Sequence, residues 1–247
     1  MAYHSSVPRT SKPTRTSKQG QTQNQTPKPD ETSDSQGFSG FHPDGFAFFN
    51  ELHHDNSKAF WEANKPRYEE HVKGPLQALA AEIEGAFGDS HLYRPHRDLR
   101  FSKDKRPYKE RAAISFGGRG PASVGGQYLQ IGAEGLFVGV GSYMMSDGHL
   151  ASYRRAVHDE RYGKQLADIV AAIEAAGYEM RGDSLKRAPK GFDPEHPRVE
   201  LLKRKGIFAS AHYEPAAWMY EPTALERVVK VFADAEPLSV WLRARLL

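Results

Sequence analysis

Tyr128-Leu129-Gln130-Ile131-Gly132-Ala133-Glu134-Gly135-Leu136-Phe137-Val138-Gly139-Val140 decides the fold. Two largely apolar runs flank Gly132-Ala133-Glu134-Gly135, the pattern of two antiparallel strands joined by a tight four-residue turn. Because both runs are mostly apolar, they are expected at the centre of a sheet. Gly139 and Gly141 suit close packing against another backbone. Together with Gly135 they lie inside a strand and lack a following helix, so they are not a dinucleotide-binding fingerprint.

Upstream, Ala112–Phe116 reads as a second strand. His91–Phe101, with Leu92, Tyr93, Leu99 and Phe101, reads as a third, and Gly117–Gly126 as a loop. Earlier still the pattern turns helical. Pro43 suits a first helical turn ahead of Phe46, Phe49 and Leu52. Asn56 is placed to cap a second helix carrying Phe60 and Trp61. Pro75 opens a third that runs through Leu76, Leu79, Ile83 and Phe87 to a stop at Gly88. Downstream, Gly148–Gly177 reads as two helical pieces broken near Asp159, with Gly177 as the C-terminal stop. A short strand at 178–180, a loop over 182–197, a short helix at 199–205 and a strand at 207–213 follow. Helices at 223–235 and 236–246 end the chain. Helices clustered at both ends of a strand-rich centre predict an α+β fold. In it a mainly antiparallel central sheet is packed by helices from the N-terminal third and the C-terminal half.

Residues 1–36 are rich in Ser, Thr, Gln, Lys and Pro, with five basic and three acidic groups. Such a segment lacks the apolar area to offset its ordering entropy, so a disordered basic tail is expected there, with one α+β domain over 37–247. The chain has no cysteine, which excludes disulfides and thiolate chemistry. It has no apolar stretch of membrane-spanning length and no secretory signal is read at its start, so a cytoplasmic protein with no membrane partner is expected.

The net charge of +3 is unevenly distributed. Residues 91–111 carry eight basic and three acidic groups, and residues 181–205 eight and four. Setting these segments and the tail against the total leaves −8 on the rest of the chain. A basic locus on an acidic body focuses anions locally.

The densest part is Arg97-Asp98-Leu99-Arg100-Phe101-Ser102-Lys103-Asp104-Lys105-Arg106-Pro107-Tyr108-Lys109. In an extended stretch Leu99 and Phe101 face the core, while Asp98 and Arg100 face away. Candidate anion-binding residues are Arg97, Arg100, Ser102, Lys103, Lys105 and Lys109, where the arginines offer planar forks and the lysines ammonium donors. Asp98 and Asp104 are candidates for orienting those cations, accepting a proton or holding a divalent cation with water, and Tyr108 for closing over a ligand. Lys186, Arg187 and Lys190 form a second basic set followed by His196, and Arg154-Arg155 a third; all three loci facing one pocket would nearly require an anion. The histidines show no compact ligand pair, so no metal site is expected. No nucleophile elbow or phosphate loop occurs, so neither a cofactor nor an enzyme class is assigned.

The central run, with Asn56…Phe60-Trp61…Lys65…Tyr68-Glu69, Leu185-Lys186-Arg187-Ala188-Pro189-Lys190-Gly191-Phe192 and His196-Pro197, resembles the domain-of-unknown-function 2461 family over about residues 38–247. The order Phe60-Trp61 departs from that family, which tends to have Trp then Phe. The resemblance implies an α/β-type fold and carries over no catalytic residue. Three functions stay open: binding an anionic small molecule of phosphate, carboxylate or nucleotide type, as a binder or an enzyme; binding nucleic acid at the same basic locus; or a structural role with the charged run at an oligomer interface.

Overall fold

In a computed structural model, residues 37–247 are described, apart from Phe101 and Pro121. The expected tail at 1–36 and the expected inward-facing Phe101 lie outside the described residues.

The N-terminal third is helical for local reasons. Pro43 at the first position starts α1 (Pro43–His54), with the His42 ring accepting from the Asp44 N–H. Ser57 caps α2 (Lys58–Tyr68) by accepting from the Phe60 N–H. That corrects the cap expected at Asn56, whose side chain is engaged elsewhere. A π-turn at Glu69–Lys73 leads into α3 (Gly74–Phe87). Its cause is Pro75, which has no N–H to give the His71 carbonyl, so the ladder changes register there. Gly88, at φ 87°, ends α3.

The sheet has six strands, all antiparallel: β1 (Ser90–Leu92), β2 (Arg111–Phe116), β3 (Gly126–Gly132), β4 (Gly135–Ser142), β5 (Glu179–Arg181) and β6 (Ile207–Tyr213), in the order β1-β2-β3-β4-β6-β5. The β3–β4 hairpin is central, as its composition requires. Gly132 pairs with Gly135, leaving Ala133 and Glu134 as the tip. Gly135 sits at φ 110°, and a Cβ there would lie 2.1 Å from the Tyr213 carbonyl oxygen, so both conformation and space demand glycine. The strand expected over His91–Phe101 is three residues long. Pro95 cannot donate to a ladder, and pairing resumes only as an isolated bridge between His96 and Tyr108.

Between β4 and β6 lie α4 (Asp147–His158), α5 (Glu160–Ala175), β5 and α6 (Val199–Lys203); α7 (Thr223–Asp234) and α8 (Glu236–Leu246) end the chain. The break between α4 and α5 falls at Asp159, which caps α5 through the Tyr162 N–H. Helices α7 and α8 pack on β4, α1 on β3, α3 on β1 and β2, and α5 on β5. The described residues share one hydrophobic core.

Residues opposite one another in an antiparallel sheet point to the same face. One face therefore carries Ile114, Phe116, Leu129, Ile131, Leu136, Val138, Val140, Ile207 and Ala209, all essentially buried beneath the helices. The other face carries His91, Tyr93, Arg111, Ala113, Ser115, Tyr128, Gln130, Phe137, Gly139, Phe208, Ser210 and His212. Here the small residues are shielded by their neighbours, while Tyr93, Tyr128, Phe137 and Phe208 are each part-exposed. Among the described residues, no helix covers this face.

Candidate functional site

The segment joining β1 to β2, residues 93–110, holds the basic run. Its base is fixed to the helical layer. The Asn56 amide donates to the Tyr108 carbonyl (3.2 Å) and accepts from the Tyr108 N–H (2.9 Å). The Tyr108 ring is 4% exposed, stacked on Trp61 at 4.4 Å and 10°, with His96 at 5.2 Å. Burial and nearby Glu62 push its phenol above the usual range. Backbone bonds from Arg97 to Pro107 and from Lys109 to Pro95 close the neck of the loop.

Within the loop, carboxylates and guanidinium groups pair. Arg97 donates to Asp104 at 2.5 Å, and Arg106 to Asp104 at 2.7 Å. Arg106 also pairs with Glu110, which meets the His53 ring at 2.8 Å. Arg100 pairs with Asp98 at 2.6 Å. The Arg100 side chain, then its backbone N–H, pull the Asp98 carboxyl down to about 2. Asp104 is lowered further, chiefly by the Arg106 side chain, then its N–H and Arg97. A general base works best with a pKa near the working pH, so carboxylates paired in this way suit the orienting role better than proton acceptance. Ser102 is part-buried, its N–H donating to the Leu99 carbonyl, and Leu99 is only part-buried instead of facing the core.

The lysines are spent differently. Lys105 reaches the Leu99 carbonyl at 3.2 Å, and Lys103 is exposed. Lys109 donates to the Arg94 carbonyl at 2.8 Å and lies 5.6 Å over the Tyr93 ring. Burial, then repulsion from Arg111 and Arg94, lower its pKa. Among the described residues, Arg94, Lys109 and Arg111 form no ion pair with a carboxylate.

The second basic set does not join the first. Lys186, Arg187 and Lys190 are exposed on the loop after β5, at the opposite edge of the sheet from β1. Strands alternate in direction, so the C-terminal ends of β1 and β5 point opposite ways. The two loops occupy diagonal corners of a sheet about 24 Å across. Arg154 donates to the Leu202 carbonyl, which places it with this second locus. Here His196 stacks on His158 at 5.1 Å.

A cleft of about 460 Å³ opens where β5 stops short of the end of β6, lined among others by Tyr178, Glu179, His212, Tyr213, Arg227 and Lys230. Its cations are partly compensated: Lys230 pairs with Asp234 at 2.8 Å, and Arg227 stacks on Trp218 at 4.4 Å. None of the residues expected to bind a ligand lines it. The part-exposed rings of the second sheet face, Tyr128 and Phe137 above all, were missed as candidates. Their signal was present in the alternation of Tyr128 and Gln130 with Leu129 and Ile131.

An antiparallel α+β protein with helices on one sheet face and a braced basic loop at one corner is the class these features define. Residues 44–241 match the family described as conserved hypothetical protein (DUF2461), and the chain belongs to that family. Comparison with curated proteins finds no match.

Proposed function

We propose that the protein binds an anionic partner at the corner where the 93–110 loop meets the uncovered sheet face. One observation carries this reading. Lys109, bonded to the Arg94 carbonyl at 2.8 Å, lies close enough to Arg94 and Arg111 to be repelled by both, and among the described residues no carboxylate pairs with any of the three, although the same loop neutralises its other arginines. Like charges gathered without counter-charge cost free energy that a bound anion offsets. The roles of the loop residues divide accordingly. Arg97, Arg100 and Arg106, locked to Asp98 and Asp104, brace the loop. Lys103, Lys105 and Lys109 present ammonium groups.

Arg94, Lys109 and Arg111 line neither the cleft beside β5 nor the one formed by Asp89, Ser90 and Gly117–Arg119, which favours an extended polyanion over an enclosed small molecule. The −8 on the rest of the chain would repel a polyanion elsewhere and direct it to this corner. Retention on immobilised heparin tests the reading. The triple variant Arg94→Ala, Lys109→Ala, Arg111→Ala should elute at clearly lower salt than wild type while melting within a few degrees of it. Wild-type protein that passes through heparin at low ionic strength would refute the proposal, as would a triple variant that elutes unchanged.

A further inference from the structure

The uncovered sheet face lies against that corner, and its side chains identify a class of partner. Tyr93 and Tyr128 have ring centroids 6.4 Å apart, and Tyr128 and Phe137 6.2 Å apart. Phe208 lies on the same face next to Tyr143, at 5.8 Å. The rings thus stand just past the end of β1 and on β3, β4 and β6, with β2 contributing none. Between them lie Ala113, Ser115, Gly139 and Ser210, all buried; the loop after β2 folds over Ser115 and the Tyr93 hydroxyl, through the Gly118 carbonyl and the Gly120 N–H, so Tyr128 and Phe137 are the rings left for a planar group. At Gly139 a Cβ would meet the edge of the Phe137 ring at 3.3 Å, so that ring lies low across its own strand.

Charge is graded along the same path. Lys109 sits over Tyr93; burial raises the pKa of the Tyr128 phenol, and Arg111 beside it opposes that rise. At the far end Arg181 lies 5.9 Å over Phe137, already paired with Glu179 at 2.6 Å, so it offers a stacking plane and little net charge. A partner complementary to this surface is anionic at the loop end and carries successive flat apolar groups toward β6.

We propose that this face binds single-stranded nucleic acid, with phosphates at Lys109, Arg111 and Arg94 and bases stacked on Tyr128 and Phe137. The inference rests on the anion-binding reading of the corner and adds the identity of the partner. Open sheets that present rings to unpaired bases, with cations along the backbone, bind single strands through stacking that tolerates any sequence. A duplex hides its base faces and leaves the rings unused.

The test uses the full chain, fluorescein-labelled oligo-dT and oligo-rU of fifteen or so residues, and a duplex of the same length, read by anisotropy. Wild type should bind the single strands at least tenfold tighter than the duplex, with affinity falling steeply as salt rises. Tyr128→Leu with Phe137→Leu keeps apolar cover and removes the aromatic faces. It should weaken single-strand binding roughly tenfold or more while heparin elution stays at the wild-type position. Photocrosslinking of wild type to oligo-dT carrying 5-iodouracil gives a readout independent of variant folding, and adducts should map to Tyr93, Tyr128, Phe137 or Phe208. Crosslinks confined to the loop or the helical side would overturn the inference, as would single-strand affinity within twofold of wild type in the double variant. So would light scattering that shows a wild-type dimer turned monomeric by the double variant, since a second copy would then own the face. Heparin binding that survives these outcomes leaves the anion-binding corner standing; loss of both removes the two proposals together.

Discussion

Truncating Tyr108 separates an anchor from a participant in chemistry. The ring is almost fully buried against Trp61 and His96, and its hydroxyl makes no hydrogen bond among the described residues. Removing a buried aromatic ring costs about 3–5 kcal/mol, which includes the cavity left behind. The stacked pair with Trp61 accounts for about 0.5–1.5 kcal/mol of the effect. Because one edge of the ring adjoins the loop and can partly collapse, we expect about 3–4 kcal/mol for Tyr108→Ala. For a domain of this size each kcal/mol moves Tm by about 2–4 °C, so the midpoint should fall by about 10 °C. Tyr108→Phe keeps ring and stack and should cost less than about 1 kcal/mol. Urea titration of the three proteins at neutral pH measures both values. Heparin elution then reports on the loop: unchanged in Tyr108→Phe, lowered in Tyr108→Ala as the basic segment loses its seat. A Tyr108→Phe protein that is as unstable as Tyr108→Ala, or that is fully folded yet no longer retained, would show that the hydroxyl matters and that the anchor reading is wrong.

Other outcomes follow from the same geometry. In a carboxyl-detected NMR titration, Asp98 should protonate near 2 and Asp104 below it. With folded values below the unfolded ones, what these pairs contribute to folding is present above about pH 4 and lost as pH falls through the folded values. Midpoints near 4 would mean that the arginine pairs do not persist in solution. Gly163→Ala places a Cβ 2.1 Å from the Val157 carbonyl oxygen and should destabilise by about 3 kcal/mol, whereas Gly148→Ala, in α4 with open space around it, should be neutral or stabilise by up to about 1 kcal/mol. Denaturant midpoints of the two decide this, and equal effects would contradict the packing at the α4–α5 junction. Arg97→Lys with Arg106→Lys keeps net charge but loses the planar forks on Asp104, so heparin retention should weaken; Lys103→Arg with Lys105→Arg should leave it unchanged. The reverse order would mean that the forks do not brace the loop and that the lysine heads cannot be replaced by guanidinium groups.

What could be read from the letters was local. The Tyr128–Val140 hairpin announces itself through its apolar runs and central turn, and α1, α3, α5 and α7 through helical spacing and Pro or Gly punctuation. The reading failed where a distant partner decided the outcome. Asn56 has the chemistry of a helix cap, yet the Tyr108 backbone claims it from across the fold, and Ser57 caps instead. Residues 93–101 alternate like a strand, but Pro95 and the two-aspartate loop end the ladder after Leu92. Whether the two basic loops meet depends on β6 pairing with β4 and placing β5 beyond it, a long-range choice that no window of sequence contains.

The charged loop shows what composition alone leaves unsorted. A run with eight cations reads as one undifferentiated basic patch, whereas folding sorts it by side-chain type. Arginine forks hold Asp98 and Asp104 because a planar guanidinium satisfies a carboxylate with two parallel bonds. The three arginines share Asp98 and Asp104, and Glu110 supplies the third negative charge through Arg106, which leaves these arginines with little field beyond the loop. Lysine and the unpaired Arg94 and Arg111 keep theirs. In the proposed anion site the aspartates would act indirectly: they give the loop a fixed shape, so that the remaining cations gather beside Tyr93 and Tyr128. A run of cations without carboxylates would spread under its own repulsion; one fully compensated would attract nothing. The mixture in this loop lies between those limits, and its surplus falls on the side of the loop that adjoins the aromatic face.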